Sequence, residues 1–373
     1  FKRGGALHYG TSKTLVGVSL TFDLCTFTKN RGLNCGGALS LITKSPITIH
    51  RCTFNSNEVI KESSNTRGCS IFIDSTTPFA SITLCTFIRE IADEGNAIYI
   101  TSSVQTCYIS DCVFTNCARN ELKEGTVVIS EAQELLFENN TITFSRAKCR
   151  GISIITSAVS TIRSCNFAGC SSDSRGGCIF LENQLESDYP EEISIEDCTF
   201  RDCDSSIAGC AMYLKVSSTP RIERVSIIGI TRYDSKSILE LRTSDESMNE
   251  FCLDSCIFER NSLNNTNEED GGGTGIFIAR DDSENSDPYE LTFRNCTWTL
   301  NHAIHGGAFS CGKDSTFSEI QLTFIECTFH RNKADFGNGG ALYLRTKRRI
   351  TIERCIFTEN DCGEPISGNS NSG

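Results

Sequence analysis

The sequence predicts an all-β fold: a right-handed parallel β-helix solenoid of about twelve coils with roughly 30 residues per coil. Three recurring features predict it. A Cys-x-Phe triplet returns at near-regular intervals, a short alternating strand precedes each triplet, and an Asn turn followed by a Gly-Gly corner comes after it. Helical periodicity is absent throughout, which excludes leucine-rich and ankyrin-type arrays.

The triplet sets the register. Its cysteines are Cys25, Cys52, Cys85, Cys112, Cys165, Cys198, Cys256, Cys296, Cys327 and Cys355, each followed two residues on by Phe, or by Trp298 after Cys296. Asn140-x-Ile142 and Val225-x-Ile227 complete the series with substitutions, and successive positions lie 25 to 40 residues apart. Upstream, segments such as Ile47-Thr48-Ile49, Leu322-Thr323-Phe324 and Ile350-Thr351-Ile352 place apolar residues at period two, which is strand geometry. Two residues, His50-Arg51 or Glu353-Arg354 for example, then separate strand from triplet and read as a bend.

Asn follows Phe at the third position in Asn30, Asn57, Asn261, Asn301, Asn332 and Asn360, where it suits a left-handed turn and can bond along a stack of like turns. Gly-Gly-Ala at Gly4, Gly36, Gly306 and Gly339 opens the next strand, for instance Ala341-Leu342-Tyr343-Leu344. A unit this short cannot bury a face alone, so the coils must stack, at about 4.8 Å each. The longest excursion, from Asn261 to Tyr289, is acidic and Gly-rich and is expected to project from the stack. The expected organisation is one β-helix over 1–360, read as a piece of a longer chain because it begins mid-repeat. Residues 361–373 then form a tail or the start of a further coil.

Bulk composition narrows the function. With 35 Lys+Arg against 47 Asp+Glu the formal net charge is -12, so nucleic acid is not an expected partner. No apolar run has the length of a membrane helix. The 22 cysteines contain no CxxC pair, which argues for an oxidising, secretory-pathway setting and against common zinc spacings. Sequons begin at Asn139, Asn264 and Asn295 and are candidate glycosylation sites.

The alternation of Gly36-Gly37-Ala38-Leu39 with Phe54-Asn55-Ser56-Asn57, and of Gly339-Gly340-Ala341-Leu342 with Phe357-Thr358-Glu359-Asn360, resembles the chlamydial polymorphic outer-membrane protein repeat. Similar repeats occur in protozoan surface proteins. The resemblance spans essentially the whole chain, with degenerate coils between Gly125 and Leu241. It implies a β-helix of the pectin-lyase-like class serving adhesion or surface display.

The ten triplet cysteines follow the repeat and read as an inward ladder of small apolar thiols. Cys170 and Cys203 stand at the same phase of neighbouring coils and are the candidate disulfide. Asp281-Asp282, the one Asp-Asp pair, is a weak Ca²⁺ candidate in the acidic loop. Arg345, Lys347, Arg348 and Arg349 form a basic cluster that suits an acidic glycan. His302 and His305 read as turn residues. No lyase or galacturonase constellation of paired Asp, or of Arg with Lys, stands on a strand, and no catalytic or cofactor-binding residue is assigned. The preferred reading is a non-catalytic extracellular or cell-surface β-helix, a scaffold or adhesin with other surface or filament proteins, or glycans, as partners. The alternative is a polysaccharide lyase or glycoside hydrolase.

Overall fold

The computed structural model describes residues 4–363 except 11–17, 61–66, 75, 91, 93–95, 102–103, 118–124, 145–148, 156, 183–191, 233–236, 244–249, 264–275, 281–288, 312–319 and 336–338. Among these residues there is no helix, and every strand pairing is parallel. None therefore offers a helix long and apolar enough to cross a membrane.

Each coil contributes one strand to each of three long sheets, so the chain is a parallel β-solenoid. The strand after the Gly corner enters the first sheet, which has ten strands from Leu7–Tyr9 to Ile276–Arg280. Phe309–Cys311 and Leu342–Leu344 form a further pair of the same kind. The alternating strand before the bend and the triplet strand build the second and third sheets, of twelve strands each. A fourth, shorter ladder follows the turn, from Thr231–Arg232 to Asp361–Cys362. The degenerate coils keep register: Thr141 pairs with Val113 and Asn166, and Ser226 with Thr199 and Ile257.

Period two puts alternate side chains inside, and like residues then stack. Phe27, Phe54, Phe87 and Phe114 form a continuous column with ring centroids 4.9, 4.8 and 4.8 Å apart. That spacing is the inter-strand distance itself. A second column runs through Phe258, Trp298, Phe329 and Phe357 at 5.1, 4.8 and 4.7 Å. Ile142 and Ile227 interrupt the rings without opening the core, since both are buried. The triplet cysteines run beside them. The Cys112 thiol donates to Ser110 O at 3.2 Å and Ile82 O at 3.5 Å, and Cys165 and Cys296 repeat the pattern.

The second residue of the bend takes the left-handed conformation in every coil, at φ 50–56° through Leu24, Arg51, Leu84, Asp111, Asn139, Ser164, Asp197, Arg224, Ser255, Asn295, Glu326 and Arg354. A non-glycine residue there carries a steric cost of about 1–2 kcal/mol, least for Asn and Asp. Leu84 combines this backbone with an exposed apolar side chain. Leu84→Asn is therefore expected to raise stability by about 1 kcal/mol, read as a higher denaturant midpoint. An unchanged midpoint would remove the strain argument.

The turn position binds the coils through side chains. Asn301 accepts the Asn261 N–H at 3.0 Å, and its amide donates to Phe258 O at 2.9 Å and Asn332 Oδ1 at 3.0 Å. Asn332 and Asn360 continue the ladder, and Asn30 and Asn57 form another at the opposite end. Beyond Asn57 the ladder ends on Glu90, whose carboxylate takes the Asn57 N–H at 3.1 Å. Burial pushes the Glu90 carboxyl up to about 8.

Two expectations change. Cys203 bonds Cys178, with Cα atoms 6.4 Å apart, and Cys170 keeps a free buried thiol. Equal phase in the repeat identifies neighbours along the stack, whereas the corner that carries Cys178 faces the turn across the interior. The excursion from Asn261 to Tyr289 is shorter than the sequence suggests. Ile276–Arg280 pairs in register with Leu239–Thr243, so a strand of the first sheet interrupts the excursion. Asp361–Cys362 pairs with Lys333–Ala334, so the turn ladder extends into residues 361–362.

Candidate functional site

The outer face of the first sheet gathers cations, carboxylates and aromatic rings from neighbouring coils. Its strands Ile179–Glu182, Met212–Val216 and Leu239–Thr243 pair in register. Outward positions thus align in two columns, Phe180 with Tyr213 and Glu240, and Glu182 with Lys215 and Arg242. The Phe180 and Tyr213 rings stack at 5.1 Å.

Two arginines from the preceding corners lie across these rings. Arg150 places its guanidinium 4.3 Å above Phe180, and Arg175 sits 5.4 Å above Tyr213. Arg67 over Tyr99, at 5.1 Å, is the same arrangement nearer the chain start. Arg150 is almost fully buried. Its Nε donates to Arg175 O at 2.9 Å and Ser172 Oγ at 3.2 Å, and a further guanidinium nitrogen donates to Ser174 Oγ. These bonds fix the side chain before any ligand arrives. Arg175 and Arg242 converge on the buried Glu240 carboxylate at 3.5 and 2.6 Å, and Lys215 meets Glu182 at 3.5 Å.

The result is a cleft of about 290 Å³ between Arg150, Arg175, Phe180, Tyr213, Lys215 and Arg242. Four cations against the carboxylates of Glu182 and Glu240 leave a local positive excess on a chain whose net charge is -12. The volume sits at the small end of the ~300–1,000 Å³ typical of ligand pockets, so it suits one acidic group or residue of a longer molecule. Guanidinium forks match carboxylate and sulfate geometry, and aromatic stacking keeps them flat. Single motifs could not reveal these residues, which come from four coils and two structural positions. Aligning the repeats on the Gly corner as well as on Cys-x-Phe would have brought Phe72, Tyr99, Phe180 and Tyr213 into one outward column.

The residues singled out from sequence lie elsewhere. Arg345, Lys347, Arg348 and Arg349 are exposed between Leu342–Leu344 and Ile350–Glu353, away from the cleft in sequence and coil. Asp281, Asp282 and Asn264 lie outside the described residues. Asn139 and Asn295 occupy the same exposed bend position of their coils. Their amides donate to Asp111 and to Ser255. His302 does have a carboxylate neighbour, Asp335, at 2.7 Å, contrary to its reading as an isolated turn residue. The triplet cysteines are core. A hydrogen bond to Cys112 holds the Cys85 thiol up at about 12, and burial does the same for the interior Cys107. Protonated buried thiols are poor nucleophiles.

Among known proteins, the family described as Periplasmic copper-binding protein (NosD) matches residues 80–224, less than half of the chain. That stretch contains Arg150, Arg175, Phe180, Tyr213 and Lys215 of the cleft. No curated protein and no solved structure matches the chain.

Proposed function

We propose that the chain is a non-catalytic β-helix acting outside the cytoplasm, as an adhesive or structural segment of a surface protein, and that its cleft holds an acidic group of a glycan. The cleft carries this reading: Arg150, Arg175, Lys215 and Arg242 converge in an otherwise acidic molecule. The cysteine content, the exposed Asn139 and Asn295 sequons, and the periplasmic description of the partly matching family support the location. The resemblance to the polymorphic outer-membrane protein repeat supports surface display.

Binding is expected for polygalacturonate or heparin and not for dextran, weakening as salt rises because screening acts on partly exposed charges. Arg175→Ala should weaken it at least about tenfold, or about 1.4 kcal/mol. Equal binding of neutral and acidic polymers, or an unaffected Arg175→Ala, would sink the reading. One observation favours a second reading, a polysaccharide lyase of the pectin-lyase-like class: cations and carboxylates share one sheet face, with Lys215 beside Glu182. Shortening of the acidic polymer in the same assay, with or without Ca²⁺, would select it.

A further inference from the structure

Cys170, Cys178 and Cys203 bring three buried sulfur atoms within 4.8 Å of one another. Two features of the fold place them there. Ser171–Ser172 pairs with Asp204–Ser205, which sets Cys170 and Cys203 at the same turn position of adjacent coils. Cys178 arrives from the facing corner, which packs against the turn because Gly177 has no side chain. A Cβ at Gly177 would lie 2.2 Å from both Asp204 O and Cys210 O. In the structure Cys178 and Cys203 are bonded and Cys170 is free.

We propose that this trio, once its disulfide is opened by a dithiol reductant, is a three-coordinate site for a thiophilic monovalent d¹⁰ cation such as cuprous ion. Metal–sulfur bonds of about 2.3 Å around a trigonal ion separate the sulfurs by roughly 4.0 Å, so the Cys178 and Cys203 sulfurs must move apart once their bond is broken, while staying within the 4.8 Å that already spans the trio. Soft thiolates select cuprous ion and zinc. Structural zinc takes four ligands, and no fourth His, Cys, Asp or Glu belongs to this group among the described residues. The chemistry balances in two steps. The dithiol transfers two electrons and two protons to the Cys178–Cys203 bond and leaves as its own cyclic disulfide. The cation then displaces two protons and is held by two thiolates and one neutral thiol. The buried net charge is one negative, smaller than with three thiolates.

The test titrates cuprous ion into the full chain without oxygen, against a chromogenic cuprous chelator, before and after dithiothreitol treatment. Wild type, Cys170→Ser and Cys107→Ala are compared. Cys107→Ala removes a buried thiol outside the trio. Cys170→Ser keeps both cysteines of the cross-link, so it retains the fold, as circular dichroism would verify. The expected result is one tightly held equivalent in reduced wild type and Cys107→Ala, absent from Cys170→Ser and from the untreated chain. X-ray absorption should report three sulfur neighbours. Equal retention by wild type and Cys170→Ser, retention by the untreated chain, or retention of zinc in preference would each overturn the proposal.

Discussion

Between pH 4.5 and pH 7 the Glu90→Gln variant is expected to gain about 3 kcal/mol of stability relative to the wild type. Glu90 is fully buried in the turn column, where Asn57 donates to its two oxygens at 3.1 and 3.3 Å. Burial outweighs these bonds and raises the carboxyl from 4.5 to about 8. The folded state therefore keeps its proton through the window from 4.5 to about 8, while the unfolded chain gives it up. Native stability from this group is complete below pH 4.5 and is lost as pH rises, by about 1.4 kcal/mol per unit. Glutamine has no charge to lose, but its NH2 replaces one oxygen that accepts from Asn57, a pH-independent cost of about 1–3 kcal/mol, so the pH dependence carries the test. Denaturant midpoints of both proteins at pH 4.5, 7 and 8.5 decide the matter. Parallel curves would show that Glu90 is solvated as the ion.

The second large effect is expected at Asn301. Truncation to alanine leaves the Asn261 N–H without its partner, takes the Asn301 amide donor from the Phe258 carbonyl and removes the link to Asn332. At about 1–3 kcal/mol for the orphaned buried N–H and about 0.5–1.5 kcal/mol for each further bond lost, Asn301→Ala should cost about 3–5 kcal/mol. Asn360→Ala, at the less buried end of the same ladder, should cost clearly less. Similar losses at both positions would mean that the ladder's bonds are replaced by water.

The fold was legible because one repeat records several independent constraints. Cys-x-Phe marks the inward positions, the two residues before it mark the bend, and Asn marks a turn whose side chain has a partner one coil away. Even Asn140, standing for a triplet cysteine, stays in register by accepting the Cys112 N–H and donating to Ile109 O. The bend's left-handed residue was hidden, since Leu84, Arg51 and Glu326 have no common chemistry. The cleft was hidden for another reason. Outward residues are not constrained by the core, so Arg150 and Arg242 meet only after unequal loops have been folded away. The disulfide misled because phase orders positions along the stack and says nothing about which position lies opposite across the interior.

The turn column also divides the molecule by chemistry. Asparagine ladders run at both ends, whereas Cys117, Cys170, Cys203 and Ile230 fill the same position in the middle, where the cleft and the sulfur trio lie. The middle coils therefore depend on apolar packing and the Cys178–Cys203 link where the outer coils use amide bonds.

All three sheets stack parallel strands one coil above another, so their backbone hydrogen bonds point along the stacking direction. Tension applied between the two ends pulls along those bonds and concentrates on whichever terminal coil is loaded, so the solenoid should peel coil by coil at modest force. A load spread over one side meets many coils at once and is shared. A solenoid built in this way would act as a stiff spacer under side load and as a yielding tether under end-to-end pull.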